Sequence, residues 1–284
     1  MTRSHESPDT IEQFMQRDLE AVPETMCVIE AAGRMASRRI GCLVVESTGS
    51  PSVHPTIIGL VSEVDFVRQV MSKGLPEQEM TVGRIMASPV LSLPGDRSVL
   101  EANHFMEKHG IRHLCVTKGD AIVGIISVRD LVRLFVYADS GPICDLDDVY
   151  QPLGVLMRRD IETIDLDESL RAASRRMAEK RIGALMVTQV GEMIGMVSER
   201  DLIQKGMAEG MDADRATVGM VMMPRIVDID INRTVHDASD LMAEQNIRHL
   251  AVTENHAIVG ILSVRDLLRM ISVRDRPRFL RQRS

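Results

Sequence analysis

Short apolar runs and helix-like stretches follow one another in the same order four times along the chain. A short apolar strand comes first, as at Val90–Leu93 or Ile226–Ile229. Apolar residues then recur at i, i+3 and i+7, a spacing that places them on one face of a helix. The four sets are Val28, Ala31 and Met35; Val99, Ala102 and Met106; Leu170, Ala173 and Met177; and Val235, Ala238 and Met242. Two more apolar strands and a second helix follow each set, so the pattern predicts four βαββα repeats.

A Gly-hydrophobic-x-Ser-x-x-Asp motif closes the last strand of every repeat. It spans residues 59–65, 124–130, 195–201 and 260–266, and successive aspartates lie 65, 71 and 65 positions apart. Repeats 1 and 3 share Arg-Ile-Gly at 39–41 and 181–183, whereas repeats 2 and 4 share Ile-Arg-His-Leu at 111–114 and 247–250. The chain therefore consists of two successive pairs of repeats, and the two pairs resemble each other in sequence.

We place the repeats at residues 9–73, 80–137, 151–209 and 216–273. A lead-in segment such as Thr81–Met86 opens each repeat, and we expect it to form a short helix. The least regular connector, residues 138–150, contains glycine, proline and four aspartates, which makes it the predicted linker between the two pairs. Residues 274–284 form a basic tail.

The Ser-x-x-Asp motif supports two interpretations. It is the pattern of a capping box, in which Ser caps a helix and the acid bonds back to the cap amide. The same groups suit a nucleotide, because a helix start attracts phosphate and a carboxylate accepts hydrogen bonds from both ribose hydroxyls. Four copies in one register favour a site without excluding a repeated cap.

The motif and its strand–helix setting resemble the CBS domain, named for cystathionine beta-synthase. The resemblance covers about residues 9–273 in four copies. It implies an α+β fold of mixed three-stranded sheets with helices on one face, paired into two pseudo-twofold modules. It also implies clefts between paired repeats that bind AMP, ADP, ATP or S-adenosylmethionine. In that family the Ser and Asp hold the ribose, and here they are Ser62, Asp65, Ser127, Asp130, Ser198, Asp201, Ser263 and Asp266.

Four copies in one chain also resemble the gamma subunit of AMP-activated protein kinase. That resemblance implies phosphate contacts from basic residues near the second strand and just before the motif Asp. The matching residues are Arg112, His113, Arg129, Arg200, Arg248, His249 and Arg265. Repeats 1 and 3 depart from the pattern with Gly41-Cys42 and Gly183-Ala184, and repeat 1 has Val64 instead of Arg. Two alternatives remain open. The first is that the arginines are solvated or paired residues, and the second is that the histidines lie at the edge of the core.

Composition and the motifs present in the sequence argue against several classes of function. The net charge is −7 and aromatic residues make up 2% of the chain, which argues against nucleic-acid binding. No catalytic or Walker-type motif is present, and no metal site is expected. No apolar run has the length of a signal peptide or a membrane span, so we expect a cytoplasmic location.

We therefore expect a non-enzymatic regulatory sensor without a cofactor, which signals an adenine nucleotide to an unknown effector protein and forms a homodimer. The alternative function is a structural or dimerisation scaffold in which the motifs are only helix caps.

Overall fold

The computed structural model describes residues 10–49, 56–137 and 153–268. Of residues 133–137 it describes the backbone alone. The predicted linker and basic tail lie outside the described residues.

Each repeat forms a three-stranded mixed sheet, as the pattern predicts. In every sheet the first strand runs parallel to the second, and the second runs antiparallel to the third. The strands of repeats 1 and 2 are β1 (Ala21–Pro23), β2 (Cys42–Glu46), β3 (Ile57–Ser62), β4 (Ser92–Pro94), β5 (His113–Lys118) and β6 (Ala121–Ser127). Those of repeats 3 and 4 are β7 (Thr163–Asp165), β8 (Ala184–Gln189), β9 (Glu192–Ser198), β10 (Asp228–Asp230), β11 (His249–Glu254) and β12 (Ala257–Ser263).

Helices join and follow these strands. They are α1 (Ile11–Phe14), α2 (Val28–Arg38), α3 (Glu63–Asp65), α4 (Val82–Ile85), α5 (Val99–His109), α6 (Val128–Tyr137), α7 (Leu170–Lys180), α8 (Glu199–Asp201), α9 (Val218–Val221) and α10 (Val235–Glu244). In repeats 1 and 3, α3 and α8 continue as π-helices at Phe66–Met71 and Leu202–Gly206. Single 3-10 turns lie at Glu77–Glu79, Leu153–Val155 and Met207–Glu209. Residues 264–268 are helical as well.

The predicted apolar helix faces are buried. Val28, Ala31 and Met35 are all 0% exposed, and the equivalent residues of α5, α7 and α10 are also buried. Ser98 caps α5 and forms a capping box with Glu101. The helical spacing read from the sequence thus identified the side of each helix that packs into the core.

Contacts divide the chain into two compact units that are not continuous in sequence. Among the described residues, one contains 10–18, 91–137, 153–159 and 227–268, and hence the sheets of repeats 2 and 4; we call it the even unit. The other contains 19–49, 56–90 and 160–226, and hence the sheets of repeats 1 and 3; we call it the odd unit. Each unit has its own apolar core. Each unit therefore combines the two repeats that resemble each other most in sequence.

The lead-in segments pack on a neighbouring repeat instead of their own. In the even unit the first lead-in joins repeat 2, where Gln16 and Ile125 exchange two backbone hydrogen bonds of 2.8 and 3.0 Å. Arg158 and Ile261 exchange two of 2.9 Å in the same unit. In the odd unit the lead-in before repeat 4 joins repeat 3 through Met196 and Met223. The predicted short helices exist, and each packs within the unit that does not contain the sheet of the repeat that it precedes.

The motif glycine makes this crossing feasible. A Cβ on Gly260 would lie 2.7 Å from the Met157 sulfur and 2.8 Å from the Arg158 carbonyl oxygen. These distances are shorter than van der Waals contact, so a side chain would push the lead-in away. The motif glycine therefore allows the backbone of the lead-in to approach the strand closely, which is one of the structural roles of glycine in a strand.

Candidate functional site

The motif Ser and Asp form a capping box in every repeat. The Ser ends the third strand, the helix starts at the next residue, and both Ser N–H and Ser Oγ donate to Asp Oδ2. The N–H and Oγ distances are 2.8 and 2.8 Å for Ser62, 2.8 and 2.6 Å for Ser127, 3.0 and 2.6 Å for Ser198, and 2.9 and 2.5 Å for Ser263. The interpretation of the motif as a capping box is therefore confirmed in all four repeats.

The capping box does not use the whole carboxylate. The bonds from Ser engage Oδ2, and an ionised carboxylate can accept about four hydrogen bonds. Asp65 and Asp130 are half-buried, whereas Asp201 and Asp266 are 9% and 3% exposed. A cap and a ligand contact are thus compatible at the same Asp, and the four aspartates differ in how easily a ligand can reach them.

In the even unit an Arg-His pair lies across the strand from each motif Ser. His113 pairs with Ser127 in the β5–β6 register, and the N–H of Val128 donates to the Arg112 carbonyl oxygen at 2.9 Å. Repeat 4 has the same arrangement, with His249 opposite Ser263 and the Arg248 carbonyl accepting from Val264 N–H at 3.0 Å. The sheet register therefore brings the predicted phosphate and ribose residues to one end of each hairpin.

The basic residues of repeats 2 and 4 also lie close to one another. Burial, followed by the positive charges of Arg112, Arg248 and Arg129, lowers the pKa of His113 to about 3. Arg248 belongs to repeat 4, so its effect on His113 crosses between the two repeats. Arg129 likewise donates from its Nη1 to Asn246 Oδ1 of repeat 4 at 3.2 Å.

His249 has the same surroundings. Burial, followed by the charges of Arg248, Arg112 and Arg265, lowers its pKa to about 3. Both histidines are therefore neutral at pH 7, and the positive charge of the site comes from the arginines. We call this set the even-unit basic cluster; its members are Arg112, His113, Arg129, Arg248, His249 and Arg265.

The odd unit has carboxylates at the corresponding place. The backbone geometry is conserved between the units: Glu63 N–H donates to the Gly41 carbonyl at 3.2 Å and Glu199 N–H to the Gly183 carbonyl at 3.0 Å. Glu63 and Glu199 are 0% and 3% exposed and stand where the even repeats carry valine. The even and odd units thus share the backbone geometry, but the odd unit has buried carboxylates where the even unit has neutral valines.

Arg200, the predicted phosphate ligand of repeat 3, lies beside one of these carboxylates. Its Nε is 3.5 Å from Glu63 Oε1, and the Gln204 Nε2 donates to the same oxygen at 3.3 Å. Gln204 Nε2 also contacts the Ile40 carbonyl oxygen at 3.2 Å. Arg200 therefore lies beside a carboxylate of repeat 1 in the same unit.

Comparisons with known proteins match the whole pattern. The family model described as CBS domain matches residues 11–72, 82–137, 152–207 and 218–273. The chain belongs to the CBS-domain family. The repeats defined above are CBS repeats, and their four-fold occurrence agrees with the sequence prediction.

Relatives extend this result to most of the chain. Hypoxic response protein 1 of Mycobacterium tuberculosis is 31% identical over 115 residues, which are 40% of this chain and 80% of that protein. CBS domain-containing protein CBSCBSPB3 of Arabidopsis thaliana is 20% identical over 292 residues, and the chain spans about half of its length, 51%. Protein MJ1225 of Methanocaldococcus jannaschii is 24% identical over 205 residues, 69% of each chain.

The crystal structure of MJ1225 has a similar fold. It superposes with a TM-score of 0.74 at 16% identity, and the match covers 92% of this chain and 99% of MJ1225. At this identity the likeness concerns the fold alone.

Two further observations concern what the described residues lack. None of their helices is long and apolar enough to cross a membrane. Within the same residues, no three His, Cys, Asp or Glu side chains converge as a metal site.

Two features of the site were not foreseen from the sequence. The buried glutamates had a visible signal, since repeats 1 and 3 read Ser-Glu-x-Asp where repeats 2 and 4 read Ser-Val-Arg-Asp. The second is Lys205, four residues after the motif Asp of repeat 3, whose Nζ lies 2.7 Å from Asp201 Oδ1. An i,i+4 acid–lysine pair is common on helices, so this spacing by itself did not mark the site.

Proposed function

We propose that this CBS-domain chain is a non-catalytic regulatory module that senses an adenine nucleotide and signals to a partner protein. The observation that carries the proposal is the even-unit basic cluster beside two Ser–Asp capping boxes. In repeats 2 and 4 the His of an Arg-His pair lies opposite the motif Ser, and that Ser bonds to Asp130 or Asp266, the proposed ribose acceptor. A nucleotide needs both features, a carboxylate for the sugar and fixed positive charge for the phosphate.

The charges of the cluster suit a phosphate more than a neutral ligand. Four arginine guanidinium groups remain charged at every physiological pH. The two histidines are neutral at pH 7 and act as hydrogen-bond partners. A phosphate placed there would offset the repulsion between the arginines, so binding would stabilise the even unit.

A relative supports the same direction. MJ1225 has been proposed as an archaeal homolog of g-AMPK. The sequence of this chain likewise resembles the gamma subunit of AMP-activated protein kinase. We propose that a nucleotide changes the relative stability of two arrangements of the chain, and that one arrangement binds the partner more tightly. The partner is an effector protein or a second copy of this chain in a homodimer.

The second candidate is a scaffold whose motifs are only helix caps. It is favoured by one specific observation, namely that the Ser and Asp of all four motifs form capping boxes with each other. Loss of a cap would then lower stability and change nothing else. The two functions therefore differ in what an Asp substitution does to nucleotide binding.

The deciding experiment is calorimetric titration of the full chain with AMP, ADP, ATP and S-adenosylmethionine. The test variant is Asp130→Asn with Asp266→Asn. The matched control is Glu101→Gln with Asp237→Asn, because these acids form the same capping boxes with Ser98 and Thr234 in the same two repeats. Both double variants should lose comparable stability, about 0.5–2 kcal/mol per cap.

Only the test variant should lose nucleotide affinity, by roughly 10- to 100-fold, since a hydrogen bond to a charged group contributes about 1.5–3 kcal/mol. Equal affinity in both double variants, or no binding of any of the four ligands to the native chain, would favour the scaffold.

A further inference from the structure

Both candidate ligand residues of repeat 3 contact charged side chains of the protein itself. Asp201 Oδ1 lies 2.7 Å from Lys205 Nζ, and Arg200 Nε lies 3.5 Å from Glu63 Oε1. The first contact involves the residue that would hold a ribose, and the second involves the residue that would meet a phosphate. Repeat 3 therefore has a charged protein side chain at both ends of the proposed nucleotide site.

Lys205 is held at Asp201 by a second contact. Its Nζ donates to the Val221 carbonyl oxygen at 2.9 Å, so the ammonium bridges the motif Asp and the end of α9. Asp201 Oδ2 already accepts from Ser198, and Lys205 takes the remaining oxygen. Both oxygens of this carboxylate thus have protein partners.

The other repeats have no cation at this position. Four residues after the motif Asp, repeats 1, 2 and 4 carry Gln69, Leu134 and Met270. The ammonium is therefore a feature of repeat 3 and not of the shared fold.

The Glu63 carboxylate lies beside Arg200, where the phosphate of a bound nucleotide would otherwise supply the negative charge. It is 0% exposed, accepts from Gln204 and lies beside Arg200. A phosphate approaching Arg200 would be repelled by this fixed carboxylate, because buried charges are weakly screened. Valine at the corresponding positions 128 and 264 imposes no such repulsion.

We propose that repeat 3 is an internally occupied site, in which Lys205 takes the place of a ribose at Asp201 and Glu63 takes the place of a phosphate at Arg200. The inference rests on the proposed function and refines it, because it removes repeat 3 from the nucleotide-binding repeats of the native chain. Lys205 then determines which repeats bind, since a nucleotide reaches Asp201 only after the ammonium has moved.

The test uses the full chain and AMP in calorimetric titrations. Lys205→Met gives repeat 3 the residue type that repeat 4 carries at this position, and the side chain is 48% exposed, so the fold should tolerate the change. The matched control is Gln69→Met, the same position in repeat 1. Two further variants, Asp201→Asn alone and Asp201→Asn with Lys205→Met, report whether repeat 3 itself binds.

We expect Asp201→Asn alone and Gln69→Met to leave the number of bound AMP molecules unchanged. Lys205→Met should raise the affinity of the weakest site about 1.5- to 5-fold, the effect of losing a partly exposed ion pair, while Glu63 still opposes a phosphate at Arg200. The double variant should remove that gain.

Two results would overturn the inference while leaving the proposed function intact. One is loss of a bound AMP on Asp201→Asn in the native chain, which would mean that repeat 3 already binds. The other is an unchanged titration for Lys205→Met in a chain that binds AMP elsewhere. No binding by the native chain or by any variant would instead overturn the proposed function, and the inference with it.

Discussion

Replacing Gly195 by alanine should destabilise the odd unit strongly although it adds a single methyl group. A Cβ at this position would overlap the carbonyl oxygen of Met223, in the lead-in segment that follows α9. That oxygen belongs to backbone and cannot rotate away as a flexible side chain would. It also accepts the Met196 N–H at 3.1 Å, while Met223 N–H donates to Met196 at 2.8 Å.

The magnitude follows from the two ways in which the overlap can be relieved. If the backbone shifts slightly and both bonds survive, the overpacking costs about 1–3 kcal/mol. If the lead-in moves away, two backbone hydrogen bonds of about 0.5–1.5 kcal/mol each are lost together with local packing. The two routes together span a loss of about 1–4 kcal/mol, which corresponds to a fall in Tm of roughly 2–15 °C for a chain of this size.

Thermal and urea unfolding followed by far-UV circular dichroism would measure this loss, since the chain has no Trp for fluorescence. The control is Gly33→Ala in α2 of the same unit, where a Cβ would meet nothing within 4 Å. This change should stabilise by about 0.5–1 kcal/mol, because alanine is the better helix former. A Gly195→Ala chain as stable as the native chain would refute the proposed reason for the motif glycine and the close packing of the lead-in.

Two further predictions concern charged groups. His113 and His249 have folded-state pKa values of about 3, below the 6.5 of an unfolded histidine, so stability should be complete above pH 6.5 and fall as the pH drops towards 3. NMR titration of the imidazole Cε1–H signals should show no midpoint between pH 5.5 and 8, and a midpoint near 6.5 would contradict the burial of these rings. Arg171→Met should cost about 1.5–3 kcal/mol in urea unfolding, because Arg171 binds both oxygens of Asp214 and donates to a backbone carbonyl of repeat 1 at 2.7 Å. Arg175→Met, which loses one exposed 3.3 Å bond, is the control, and equal effects of the two changes would argue against Arg171 as a link between repeats 1 and 3.

Local patterns in the sequence determined the elements of each repeat. Apolar residues three and four positions apart can lie together only on a helix face, so the buried sides of α2, α5, α7 and α10 were readable in advance. The Ser-x-x-Asp capping box was readable for the same reason, since its hydrogen bonds join residues three apart. The four-fold recurrence then identified the family without any structure.

Only the tertiary structure showed which repeats share a core and which residues meet. The association of repeat 1 with 3 and of repeat 2 with 4 joins residues more than 100 positions apart, as Arg129 and Asn246 are. No local periodicity encodes such a contact. The same holds for Glu63 beside Arg200, where the sequence shows two ordinary charged residues and the fold buries one of them next to the other.

The motif itself illustrates both contributions. Its residues and spacing are properties of the sequence, and they specify a capped helix in each of the four repeats. Whether the arginine of a given motif lies beside a buried glutamate, as Arg200 does, or bonds to an amide of another repeat, as Arg129 does, depends on side chains brought in from elsewhere in the chain. Electrostatic interactions act through space and not along the backbone, so the charge of each site was decided by the packing of the repeats.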